Sequence, residues 1–166
     1  MLARRALPEE YRRWNRRHGA PFGHRVRGLR VLDRLLPESV LTRMRGPFGI
    51  QENNTVRAFE YPWAYHAAPL RAGLDVLDIG GGLGGFQFVL ARAGCRVVNV
   101  DPGMDAIGVG WPCDESSMRR LNGIFGTSVQ LRNTVIERAE LADEASTWRT
   151  ASACSNICRP TNSSPQ

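Results

Sequence analysis

The sequence predicts an α/β fold, a parallel sheet of short buried strands alternating with helices, behind an N-terminal helical extension. Three observations carry this. Residues Leu74 to Phe86 read L-D-V-L-D-I-G-G-G-L-G-G-F, a buried strand running into a loop almost without side chains. Phe86 to Ala93 follow with helical character, and Gly94 stands where such a helix would stop. Cys95 to Asp101 read C-R-V-V-N-V-D, a second short apolar strand ending in a carboxylate. Strand, glycine loop, helix and strand in that order make a βαβ unit with a right-handed crossover.

The elements fall into three zones. Residues 1–72 form an extension in two parts. Up to about residue 45 it is Arg-rich and helical, with breaks at Gly19-Ala20-Pro21 and at Pro37. Pro8-Glu9-Glu10 is a helix start; Leu7, Tyr11 and Trp14 then share one face, Arg12, Arg13, Arg16 and Arg17 cover the rest, and Glu9 and Arg13 form an i,i+4 pair. Residues 46–72 form an aromatic, Pro-containing connection. Phe59, Tyr61, Trp63 and Tyr65 in it either bury against the sheet or line a pocket, and Asn53, Asn54 and Arg57 are candidates for polar pocket residues. Residues 73–144 are the α/β unit, with strands near 74–79, 96–100 and 128–132 and helices near 85–93 and 114–125. Residues 145–166 are expected to be a disordered tail.

Composition narrows the functions. No apolar run approaches the length of a membrane span, and the first ten residues contain no signal core, so a cytoplasmic protein without membrane contact is expected. Cys95, Cys113, Cys154 and Cys158 lack metal-ligand spacing, and no metal site is expected. His18, His24 and His66 specify no catalytic triad. The chain contains no Lys, which excludes a lysine base or Schiff base from it. Charge is uneven: residues 1–45 hold 12 Arg against four acids, while residues 46–166 carry a net of −2. The basic arm makes nucleic acid a candidate partner, although an amphipathic helix with its arginines in water accounts for the same pattern.

The chemistry lies at the strand ends. A glycine loop between a strand and a helix lets backbone approach a nucleotide closely. Asp101, 21 residues after Gly80, is placed beside that loop, where a carboxylate accepts from both hydroxyls of a ribose. Asp78 lies two residues before the first glycine. An acid there disfavours a pyrophosphate and suits a cation.

Taken together, D-I-G-G-G-L-G at Asp78 to Gly84 and V-V-N-V-D at Val97 to Asp101 resemble the class I S-adenosylmethionine (SAM) methyltransferases. The resemblance covers about Gly73 to Glu144, and it implies a Rossmann-like sheet with SAM as cofactor. It places Gly80, Gly82 and Gly84 under the methionine and ribose parts of SAM, Asp78 at the methionine end and Asp101 on the ribose hydroxyls. An acid after the third strand accepts from the adenine amino group in that family; Glu137 in V-I-E-R-A-E-L is the match, with Glu140 close by. The implied reaction is methyl transfer to an acceptor that the resemblance does not identify: a small molecule, glycan or lipid is expected first, and nucleic acid stays open through the Arg-rich arm. No catalytic residue is identified. Gly80-x-Gly82-x-x-Gly85 also satisfies the dinucleotide pattern, so an NAD(P)-linked oxidoreductase is the alternative.

The tail departs from everything before it. Residues 145–166 contain no Leu, Val, Phe, Gly, Asp or Glu, and five Ser, three Thr and two Cys dominate. The family's sheet needs its fourth strand here. One permitted back-translation, read in a shifted frame, gives F-D-V-A-Y-S-V-S-V-L-E-H, which resembles the family's segment after the third strand. The expectation is a frameshifted, truncated methyltransferase with an incomplete fold; an inactive product without an enzymatic role is the third reading.

Overall fold

The computed structural model describes residues 7–26, 28, 35–68, 70–103, 113–139, 141 and 149–150. Strands β1 (Asp75–Ile79), β2 (Arg96–Val100) and β3 (Gln130–Arg132) form a parallel sheet in the order β3-β2-β1. A two-residue strand β4 (Arg149–Thr150) pairs in parallel with Val76 and Leu77 on the other side of β1. The α/β class with an open parallel sheet therefore stands, and the strand and helix bounds lie within two residues of those expected. The expected disorder of the tail falls outside the described residues except at 149–150, which are strand.

Alternation in β1 and β2 divides the core. Val76 and Val97 face a large cluster with Phe86, Phe88, Val89, Leu90, Leu121 and Phe125. Leu77, Val98 and Val100 face a smaller one with Ala139 on the opposite side. Helix α4 (Gly85–Arg92) is buried along six consecutive residues, Gly85 to Leu90, because it is covered on both sides. The sheet lies against one side and the extension against the other.

That extension is more ordered than a connection. Helix α1 (Glu9–His18) buries Trp14 as its periodicity predicts, and Leu7 is buried beside it. Glu9 pairs with Arg12 at 2.8 Å and Arg16 at 2.9 Å, one turn and two turns along, and not with the expected Arg13. Helix α2 (Glu38–Arg45) follows Pro37, then a 3-10 turn, Pro47–Gly49, and helix α3, Arg57–Ala67. The sequence showed no helix at 57–67 because Pro62 interrupts the pattern. Proline cannot donate to the carbonyl four residues back. That carbonyl, on Ala58, accepts instead from Asn15 Nδ2 of α1 at 2.8 Å. The missing helical bond becomes a bond between helices.

The aromatic residues take the packing role more than the pocket role. Tyr61 stacks on Phe86 with centroids 5.3 Å apart, and Trp14 meets Phe48, Tyr65 and Phe86. Trp63 is 54% exposed. Gly85 makes this docking close: a Cβ there would stand 2.7 Å from the Pro47 backbone and from the Phe48 ring. No helix among the described residues is long and apolar enough to cross a membrane.

Candidate functional site

Register brings the site together before any side chain does. Asp78 of β1 lies opposite Asn99 of β2, at the carboxyl ends of both strands and on the face covered by α4. Gly80 N donates to Val100 O at 2.8 Å, so the loop leaves β1 still held by β2. Gly80 and Gly82 have φ of +69° and +52°, backbone that L side chains rarely adopt. Sheet order reverses between β1 and β4, and open α/β sheets bind ligands outside the strand ends at such a reversal.

Amides hold the loop. Asn99, fully buried, donates to Gly82 O at 2.7 Å and accepts from Gly81 N at 3.3 Å. Gln87, also fully buried, donates from Nε2 to Gly82 O and Gly84 O, each at 3.0 Å. Asp101 holds the loop from outside: Oδ2 accepts from Gly82 N at 2.7 Å and Oδ1 from Gly103 N at 2.8 Å. Asn133 ties the end of β2 to the chain at Cys113, donating to Asp101 O at 2.9 Å and Cys113 O at 3.1 Å. Sequence reasoning missed Asn99, Gln87 and Asn133. An Asn within an apolar strand and a Gln within an apolar helix were the available signals, since a buried amide needs partners.

Asp78 contrasts with all of these. It is 3% exposed, and its Oδ1 is buried without a hydrogen bond. Burial raises its carboxyl from the usual 3.8 to about 7; the nearby Asp101 charge adds to the rise and Arg57 opposes it. Gln51 lies over the loop, where a Cβ on Gly82 would stand 3.1 Å from its Oε1, and that oxygen too is buried without a hydrogen bond.

The three polar candidates of the extension separate. Arg57 is nearly buried, pairs with Glu60 at 3.0 Å and lies 5.5 Å from the Tyr61 ring centroid. Asn53 accepts from the Tyr61 hydroxyl at 2.8 Å and donates to Gln51 O, bracing the segment over the loop. Asn54 turns the chain into α3 from two residues before its N-cap Val56, its Oδ1 accepting from Val56 N and Arg57 N. Glu137 sits in the 3-10 turn Ile136–Arg138 after β3, exposed to solvent. Glu140 lies outside the described residues. Burial pushes the Cys113 thiol up to about 12, with Asp101 and Asp114 adding to it, so it is not a thiolate nucleophile.

The structure thus brings Asp78, Gly80, Gly82, Gly84 and Asp101 into one place, while Glu137 stands in the exposed turn after β3 with no bond to them. No known family model matches the chain, and no curated protein matches it either.

Proposed function

We propose that the glycine loop Gly80 to Gly84 binds S-adenosylmethionine and that the domain is a Rossmann-like methyltransferase of class I. One observation carries the reading: Asp78 is a buried carboxyl beneath a glycine loop with an oxygen left unpaired. That arrangement suits a ligand bearing positive charge and N–H donors, and it is unfavourable beside the pyrophosphate of a dinucleotide. The residues fit SAM in other respects. The loop is glycine apart from Leu83, and each Asp101 oxygen spends one acceptor position on a backbone N–H, that of Gly82 or Gly103, and keeps another for a ribose hydroxyl. Glu137 is assigned to the adenine amino group by the family pattern.

When bound there, SAM would supply an electrophilic methyl group on sulfur for an acceptor's nucleophile, with the thioether as leaving group. The chain's own contribution is alignment. Asn99 and Gln87 hold the loop in a single shape, and Gln51 and Arg57 close the side facing the extension. The acceptor's proton requires a base, and none of the described residues is given that role. The acceptor class is proposed as a small molecule, a glycan or a lipid.

Thermal unfolding with and without S-adenosylhomocysteine, SAM or NADH tests the reading. A cooperative melt raised by S-adenosylhomocysteine and SAM but not by NADH supports it. Stabilisation by NADH alone favours the oxidoreductase. A melt without cooperativity favours an inactive product with an incomplete fold.

A further inference from the structure

We infer that the groove between α1 and the Gly19–Arg25 segment binds a small organic anion with an apolar body. The groove encloses about 770 Å³, a volume within the usual range of small-molecule sites. Arg12 and Arg16 line it from α1, and Arg25 lines it from the opposite wall. Among the described residues no acid lines it. Glu9 stands outside the lining and bonds both Arg12 and Arg16, so one carboxylate answers two guanidinium groups and the mouth stays cationic. Phe22 and Ala58 supply apolar surface within the same space. The lining residue Asn15 spends its amide N–H on Ala58 O and keeps Oδ1 buried without a hydrogen bond, which suits a ligand that also carries an N–H or O–H.

The far wall is built and not a loose flap. His24 N donates to Arg45 O at 2.7 Å and Gly23 N to Gly19 O at 2.6 Å. Gly23 packs so closely on the turn at Gly49 that a Cβ would stand 2.8 Å from the Gly49 Cα. A nucleic-acid surface needs a row of cations along an open face. Here the cations meet over a concave apolar floor, which favours a compact ligand. This inference stands apart from the reading of the glycine loop.

Fluorescence titration of the full chain with anilinonaphthalene sulfonate, an apolar anion with an N–H, tests it against phenylnaphthylamine, the uncharged counterpart. The expected result is saturation at one sulfonate per chain. Affinity should fall about tenfold in the triple variant Arg12→Gln, Arg16→Gln, Arg25→Gln, while phenylnaphthylamine binding is unchanged. Arg43→Gln, on the exposed side of α2, should leave both probes unaffected. If the triple variant does not fold, Arg25→Gln alone is judged by the same readout at about threefold. Equal sulfonate affinity in wild type and variant overturns the inference, as does binding of many probes without saturation. A thymidine oligonucleotide that displaces the sulfonate, and binds more tightly than it, overturns it in favour of a nucleic-acid surface.

Discussion

The ends of β1 and β2 each carry a carboxylate, and the fold treats the two in opposite ways. Asp101 is partly exposed and uses both oxygens on backbone N–H groups, those of Gly82 and Gly103. Asp78, one strand over, is buried with an oxygen that meets no donor. The first is a structural clamp with spare acceptor capacity. The second costs stability as long as nothing cationic lies over it, because a buried charge without a partner is expensive and the group answers by holding its proton. The difference teaches where ligand binding energy is available. A ligand at Asp101 adds bonds to a satisfied group, whereas a ligand at Asp78 relieves an unsatisfied one.

The largest expected effect separates the two by pH. The Asp78 carboxyl is raised from 3.8 to about 7, so between those values the native chain keeps a proton that the unfolded chain has released. Stability should therefore fall as pH rises through that window, by at most about 1.4 kcal/mol per pH unit for one group. Asp78→Asn should remove this fall and make the ligand-free protein more stable at pH 8 than the wild type, as read from urea midpoints. A fall that persists in the variant assigns the titration to another group.

Asp101→Ala should act in the other direction. It leaves the Gly82 and Gly103 N–H groups without their acceptor, at a cost of about 1–3 kcal/mol in stability. SAM affinity should also drop by roughly ten- to a hundredfold. Calorimetry on the folded variant separates the two losses, and unchanged SAM affinity would remove Asp101 from the site.

Gly82→Val tests the loop between the carboxylates. A side chain at φ +52° is strained and would press on the Gln51 amide, at a cost of about 1–2 kcal/mol for the backbone alone. Binding of SAM should suffer more than stability does. A variant that binds normally would make the loop a structural turn.

The smallest effect belongs to Glu137. Exposed in its turn, Glu137→Gln should shift stability by no more than about 0.5 kcal/mol while lowering SAM affinity by about 1 kcal/mol. No change in affinity would withdraw it from the adenine position and leave that role to a residue outside the described set.

Much of this was legible in the residues. The apolar run before the glycines, the second run ending at Asp101 and the spacing between them determined a βαβ unit, because periodicity and glycine placement are local properties of a chain. The amphipathic face of α1 was readable for the same reason. What surrounds the loop was not. That Asn99 and Gln87 hold it depends on a strand register and on burial of α4 from two sides, neither of which a linear pattern encodes.

The extension shows the same division. Its aromatics were visible as apolar residues, but only the packing of α1 against α3 gave the Ala58 carbonyl a partner and made a helix through Pro62 tolerable. The sequence by itself determined that an acid precedes the glycines and another follows the second strand. Only the tertiary structure decided that one of them is satisfied and the other is not. Hydrogen-bond partners and desolvation belong to the groups that folding brings around a side chain, and the loop N–H that Asp101 accepts, on Gly82, lies 19 residues away along the chain.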